Sequence, residues 1–228
     1  MRRLLVVLFL LLPGAAAPAQ PADYLETEGL LSSEDFYRLV SCRALPGGPC
    51  TAEPVRWPTE RARDLRVGFA SLPPGYPEET AARMTRAVDA AIAEINDAGA
   101  GLRLRRAKPG EDPDIAIHLA PVHEGDVIEG TGVRGVDGQE IGAPLVTVWW
   151  DDRQSLTDAV IVLAENLPEP DLAPVVLEEL TQAMGLMTDI RNPDYEGLSV
   201  FSEDSNRVLR LGPQDRDALR RHYPPQDP

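Results

Sequence analysis

The residues most able to do chemistry sit in one short stretch, VLEELTQAMGLMTD, from Val176 to Asp189. Glu178 and Gln182 are four apart, so on a helix they stand one turn apart on a shared face, the spacing by which a helix offers two ligands to one ion. Glu179 lies between them as a carboxylate able to move a proton, Gly185 can turn the chain back, and Thr188 and Asp189 follow the turn. The donors are nevertheless poor. Glu178 can bind a metal, but the Gln182 amide and the Thr188 hydroxyl are neutral oxygens, a set better suited to Ca²⁺ than to Zn²⁺. Without a cation no water is brought to a pKa near 7, and Glu179 has no activated nucleophile to serve.

The spacing resembles HExxHxxGxxHD, the helix and turn of zinc proteases, aligned on Gly185. In that alignment Glu178, Gln182 and Thr188 replace the three histidines, Glu179 keeps the place of the catalytic Glu and Asp189 closes the motif. The frame is retained and the imidazoles are not. No catalytic residue, metal ligand or cofactor-binding residue is therefore assigned; Glu178, Glu179, Gln182 and Thr188 are candidates for a vestigial site, and no cofactor is expected.

Other chemistry finds little support. His118 lies in the alternating DIAIHLA, on the face opposite Ile115, Ile117 and Leu119; His123 lies in a loop and His222 near the C-terminus. No G-x-S-x-G elbow presents a nucleophilic serine. Trp149 and Trp150, followed by two aspartates, are notable in a chain with 5 % aromatics, and strand alternation turns one inward and the other outward.

The elements that must position these residues can be read from periodicity. Ser32 caps a short helix through SSEDFYRLVSC with Phe36, Leu39 and Val40 as its apolar stripe. Leu65 to Ala70 alternates as a strand, and a helix from about Glu78 to Ala98 repeats Met84, Val88, Ala91, Ile92 and Ile95 at three and four. Strands follow at Leu102 to Arg106 and Asp114 to Ala120, then a Gly-rich irregular excursion from Glu124 to Ala143. Leu145 to Trp150 reads as an edge strand and Ala159 to Leu163 as a short central one. The motif helix should then start with Asp171 as N-cap and Pro174 in its first turn, sending Leu172, Val176, Leu180 and Met184 into the core. Gln20 to about Glu28 and the tail PPQDP are expected to be loose.

Arg2 and Arg3, the apolar run Leu4 to Leu12 and the small residues ending at Ala19 make a signal peptide over 1–19, with cleavage after Ala19 and no lipid-modified Cys behind it. The apolar run is well short of the roughly 20 residues that span a bilayer, so no stable membrane span is expected after cleavage. Cys42 and Cys50 flank the turn-rich RALPGGP, and in an exported chain they should form a disulfide. Without Arg2 and Arg3 the chain has 20 basic against 37 acidic residues, a formal charge of −17, which excludes nucleic acid and anionic membrane as partners. The organisation expected is a leader over 20–60 with a short helix and the Cys42–Cys50 loop, one domain over 61–225, and a tail over 226–228.

Beyond the motif, SVFSEDSNRVLRLGPQDRDALRRHYPP (Ser199 to Pro225) resembles the ending of matrixin-type metzincins. The resemblance puts Phe201 at the Met-turn methionine, Leu211 and Asp215 at the opening of the last helix, and Leu219 and Tyr223 as its later anchors. Together with LEELTQAMGL, VTVWWDD and CRALPGGPC, it makes the chain similar to a bacterial exported family carrying domain of unknown function 2927. What the resemblance implies is an α/β (α+β) fold: a zincin-like single domain with a mixed twisted sheet, a long helix and a degenerate active-site helix, plus the short N-terminal disulfide-stapled helix. It also implies that the edge strand lines a cleft, so that Val146, Val148, Trp149 and Trp150 with Glu178 to Gln182 could form a peptide groove. The leading expectation is a periplasmic or secreted, non-catalytic pseudo-metalloprotease binding a peptide or protein partner. The alternatives are a metal-dependent hydrolase drawing on Glu178 with His118 or His222, and a structural envelope component.

Overall fold

A computed structural model describes residues 24–71, 77–123, 125–141, 144–164 and 166–225. The signal-peptide reading and the tail over 226–228 lie outside the described residues.

Parallel pairing of β2 (Leu65–Ser71), β3 (Leu104–Arg106), β4 (Ile115–Ala120) and β6 (Leu156–Ala164), with β5 (Leu145–Trp150) antiparallel at the edge, gives a five-stranded mixed sheet in the order β3-β2-β4-β6-β5. The two faces of β6 are both apolar, as a strand buried on both sides requires. Ala159, Ile161 and Leu163 turn to the main core, which also takes α3 (Glu78–Asn96) and α4 (Glu169–Gln182). Val160, Val162 and Ala164 turn to a second cluster with Ile128, Val136 and Ile141. The Gly-rich excursion is thus the cover of the sheet's other face. His118 is buried on that face, where burial lowers its pKa and the charge of Asp137 partly restores it.

This is the mixed α/β arrangement expected, with the long helix α3 and the motif helix α4 in place. β6 begins earlier than its apolar run, because Leu156 pairs with Trp150 across an irregularity in β5. The motif helix also starts earlier than expected. Its N-cap is Pro168, Pro170 occupies the first turn, and Asp171 is inside the helix, its N–H 3.0 Å from Pro168 O. Proline presets the helical φ and lacks the N–H that a first turn leaves unpaired, so Pro168-Glu-Pro170 outcompetes Asp171 as the start. Pro174 consequently lies inside the helix, not in its first turn.

The stretch expected to be loose up to Glu28 is ordered in part. β1 (Tyr24–Glu26) pairs in parallel with β7 (Asp189–Arg191), directly after the motif turn. The pairing is reinforced by side chains, since Arg191 stacks over the Tyr24 ring at 3.6 Å. The helix α1 (Ser33–Cys42) is capped by Ser32 as predicted, its side chain accepting from Asp35 N at 3.1 Å. Phe36, Leu39 and Val40 are fully buried in the main core.

Cys42 and Cys50 form the disulfide, eight residues apart in sequence. Loop-closure entropy for so short a ring amounts to about 2–3 kcal/mol. A Cys42→Ser, Cys50→Ser variant should lower the unfolding free energy by that much, seen as a lower denaturant midpoint, without abolishing folding. An unchanged midpoint would show that Asp35, which accepts from Gly47 N at 3.0 Å, and Arg38, which donates to Gly48 O at 2.6 Å, hold the loop alone.

Candidate functional site

The end of α4 is fixed before any of its side chains can matter. Two carbonyls released at its C-terminus are captured: Trp57 Nε1 donates to Ala183 O at 2.9 Å and Tyr223 Oη donates to Met184 O at 2.7 Å. Tyr223 Oη also accepts from Trp57 N at 3.0 Å. Gly185 then reverses the chain at φ +94°, so close to Val55 that no side chain fits. Leu219 and Tyr223 are the buried anchors of α5 (Pro213–His222) and its cap, as the resemblance implied, whereas the part of Trp57 was not legible from its sequence surroundings. Its one signal was being a lone tryptophan between two proline-containing turns. Tyr223→Phe leaves the Trp57 N–H and the Met184 carbonyl short of a partner in the core, so a loss of about 1–3 kcal/mol is expected in denaturant titration. A loss below about 0.5 kcal/mol would mean that other groups satisfy the turn.

The turn at Phe201 is built in the same way. Asp215 is fully buried and accepts from Ser199 Oγ at 2.6 Å, Val200 N at 3.1 Å and Gly212 N at 2.8 Å, binding the turn to the start of α5. Burial raises its pKa, against the pull of these donors. Phe201 is fully buried and meets Phe36 edge-on at 6.0 Å.

Of the four vestigial-site candidates, Gln182 is held by another residue of the same stretch. Gln182 Nε2 donates to Asp189 Oδ1 at 2.8 Å with both residues buried, and Thr188 is buried beside them. Glu178 is half-buried one turn before Gln182. Burial pushes its pKa well above the usual carboxylate range, and the charges of Asp189, Glu179 and Glu203 push it further. Glu179 is only 5 % exposed, its Oε2 has no hydrogen-bond partner, and burial pushes its pKa up to about 8. At neutral pH it is mainly a protonated acid. Arg191 reaches Glu203 at 3.1 Å and Asp204 at 3.3 Å while stacking on Tyr24.

Histidines do not join the group. His222 is fully buried behind Gly185, with Nε2 2.8 Å from Val55 O and Nδ1 3.4 Å from Tyr37 Oη; burial lowers its pKa to about 4. Both of its nitrogens are committed to structure. Among the described residues, no three His, Cys, Asp or Glu side chains converge in a geometry able to hold a metal ion.

A cleft of about 560 Å³ opens beside the motif turn. One wall is β5, with Val148 and the half-exposed Trp150; another is the end of α1 and the disulfide loop, with Ser41, Cys42 and Glu53; Gly185, Met187 and Thr188 close it. The predicted groove residues divide between the sheet's faces. Val146 and Val148 pack toward the main core, Trp149 packs under the Gly-rich excursion, and Trp150 alone of the two tryptophans faces the cleft. The disulfide loop as a cleft wall was not anticipated, because only tertiary packing brings residues 41–53 to β5.

No family model matches the chain, and no curated protein does. Solved structures do match. That of myroilysin aligns at 12 % identity over 76 % of this chain and 97 % of that one, with a TM-score of 0.40, a likeness too loose to transfer any residue's role.

Proposed function

We propose that this protein is an exported, non-catalytic zincin-like domain, a pseudo-metalloprotease whose cleft binds an extended peptide or a protein segment in the cell envelope. The observation that carries this is the cleft itself, lined by Val148, Trp150 and Thr188, beside a strand β5 that among the described residues is paired in the sheet on one side. A sheet edge offers backbone N–H and C=O groups to an added strand, and Val148 and Trp150 supply apolar surface for alternate side chains. The residues at the three ligand positions favour binding over hydrolysis, since Gln182 is spent on Asp189. The disulfide suits an oxidising compartment, and among the described residues no helix is long and apolar enough to cross a membrane. The resemblance to the bacterial exported family fits the same location, with the signal peptide over 1–19 and the domain over 61–225, its core completed by α1 of the 20–60 segment.

Elemental analysis and a peptide array on purified mature protein test the reading together. The expected result is no stoichiometric zinc and retention of extended peptides, with binding weakened at least tenfold in Trp150→Ala. About one equivalent of zinc with peptidase activity lost in Glu178→Ala would overturn it in favour of the hydrolase. Retention of no peptide would favour a structural envelope component.

A further inference from the structure

Within the peptide-cleft reading, on which this inference rests, β5 sets the register of a bound strand. Trp149 O accepts from Thr157 Oγ1 on β6 at 3.2 Å, so the backbone groups of Trp149 point into the sheet. Backbone groups alternate sides along a strand, which turns those of Val146 and Val148 to the opposite edge. Among the described residues, no backbone bond from outside the sheet reaches Val146 or Val148. Both side chains lie on the face of the main core, and Val148 lines the cleft. A strand added along this edge therefore places the side chain opposite Val148 in the cleft, while its two neighbours turn to the other face.

What that side chain meets is mostly apolar. Ala52, Val55, Trp150 and Met187 line the cleft with Val148, and Trp150 is 52 % exposed. The Ser41 hydroxyl, also in the lining, is spent on Tyr37 O at 2.6 Å. Arg43 and Glu53 give the lining one charge of each sign, so the cleft is balanced in a chain whose formal charge is −15. A charged side chain entering here would lose hydration with no net opposite charge to replace it, whereas an apolar one gains by leaving water. We propose that the bound segment is an extended stretch of another protein that inserts one bulky, uncharged apolar side chain, of the leucine, methionine or phenylalanine kind, opposite Val148. The volume of about 560 Å³ accommodates such a side chain with the backbone that carries it. Met187, unbranched and adaptable, lets the cleft take several apolar shapes, so the selection is for a class of side chain and not for one residue.

The test is a positional-scanning array of short peptides on the intact mature protein, read with wild type and Ala52→Trp. Wild type should select Leu, Met or Phe over Ala, Asp and Lys at one position by about tenfold or more, as burial of a large apolar side chain does. The positions on either side should show no such selection. Ala52 is exposed, and its N–H bond to Cys42 O survives any side chain, so the variant should fold. Its indole fills the cleft and should shift the preference at that position to Ala or Gly. The wild-type scan decides the result by itself if the variant folds poorly. Peptides bound with no apolar preference, or with a preference for charged residues, would overturn this inference and leave the cleft reading standing. An apolar preference that Ala52→Trp leaves unchanged would also overturn it, since the side chain then sits elsewhere. Sedimentation of the mature protein as a dimer that excludes these peptides would give the cleft to a second copy and overturn the inference. No binding at all to a monomer would overturn both readings.

Discussion

Gly185→Ala is expected to be the most damaging single substitution in the protein. A Cβ built at this position would stand 2.0 Å from Val55 O, 3.0 Å from Val55 C and 3.1 Å from His222 Nε2. The first of these is backbone, so no rotamer change relieves it. The residue also sits at φ +94°, where an L side chain adds its own strain of about 1 kcal/mol. Relief requires either moving the 55–57 segment, which holds Trp57 N on Tyr223, or shifting His222 from its Val55 contact. Overpacking of this kind typically removes about 1–3 kcal/mol, so about 2–4 kcal/mol in all is expected. Denaturant unfolding at constant m-value measures it, and a loss below about 1 kcal/mol would show that the 55–57 segment yields. Because Gly185 also lines the cleft, peptide binding should fall even in the fraction that folds.

Glu179→Gln is expected to act in the opposite direction and to reshape the dependence of stability on pH. The Glu179 carboxyl titrates near pH 8 when folded, against about 4.3 when unfolded. Between those values the folded state holds a proton that the unfolded state has released. Stability is therefore full below the unfolded pKa, declines as pH rises, and is lowest above about pH 8. Glu178 and Asp215, also raised by burial, tilt the curve the same way. His222 tilts it the other way over a lower range, since its pKa is lowered to about 4 and stability is lost as pH falls from its unfolded value near 6.5. The two slopes offset each other at mildly acidic pH, and the acids dominate above pH 6.5. Removing the Glu179 charge should raise stability at pH 8 by about 3–5 kcal/mol, as an upper range for one fully buried carboxyl, and flatten the alkaline decline. Melting temperatures of both proteins from pH 5 to pH 9 decide it. Parallel curves would mean that Glu179 is solvated or partnered at neutral pH.

These two residues show how unevenly the candidate site could be read. Gly185 and Glu179 were visible as members of a spaced motif, and their helix-then-turn setting follows from residue type alone. That Gln182 would turn to Asp189, and that Glu179 would be sealed from solvent, depends on which face α4 gives to the sheet. A helix apolar on nearly every side does not reveal that face in sequence. His222 looked available for chemistry and is instead a buried strut. Tyr24 to Glu26 looked too polar and too near the terminus to be ordered, but a partner strand 165 residues later supplies its hydrogen bonds.

The sequence by itself determined the alternation of strands and helices, the Cys42–Cys50 staple and the helix that ends at the Gly185 turn. Each of these follows from local spacing or from the identity of a single side chain. Tertiary structure alone decided that the disulfide loop faces β5 across a cleft and that Trp57 and Tyr223 cap the motif helix. Those contacts join residues far apart in the sequence, 126 positions for Trp57 with Ala183 and 39 for Tyr223 with Met184, and no local pattern encodes which distant backbone carbonyl a buried N–H or O–H will reach.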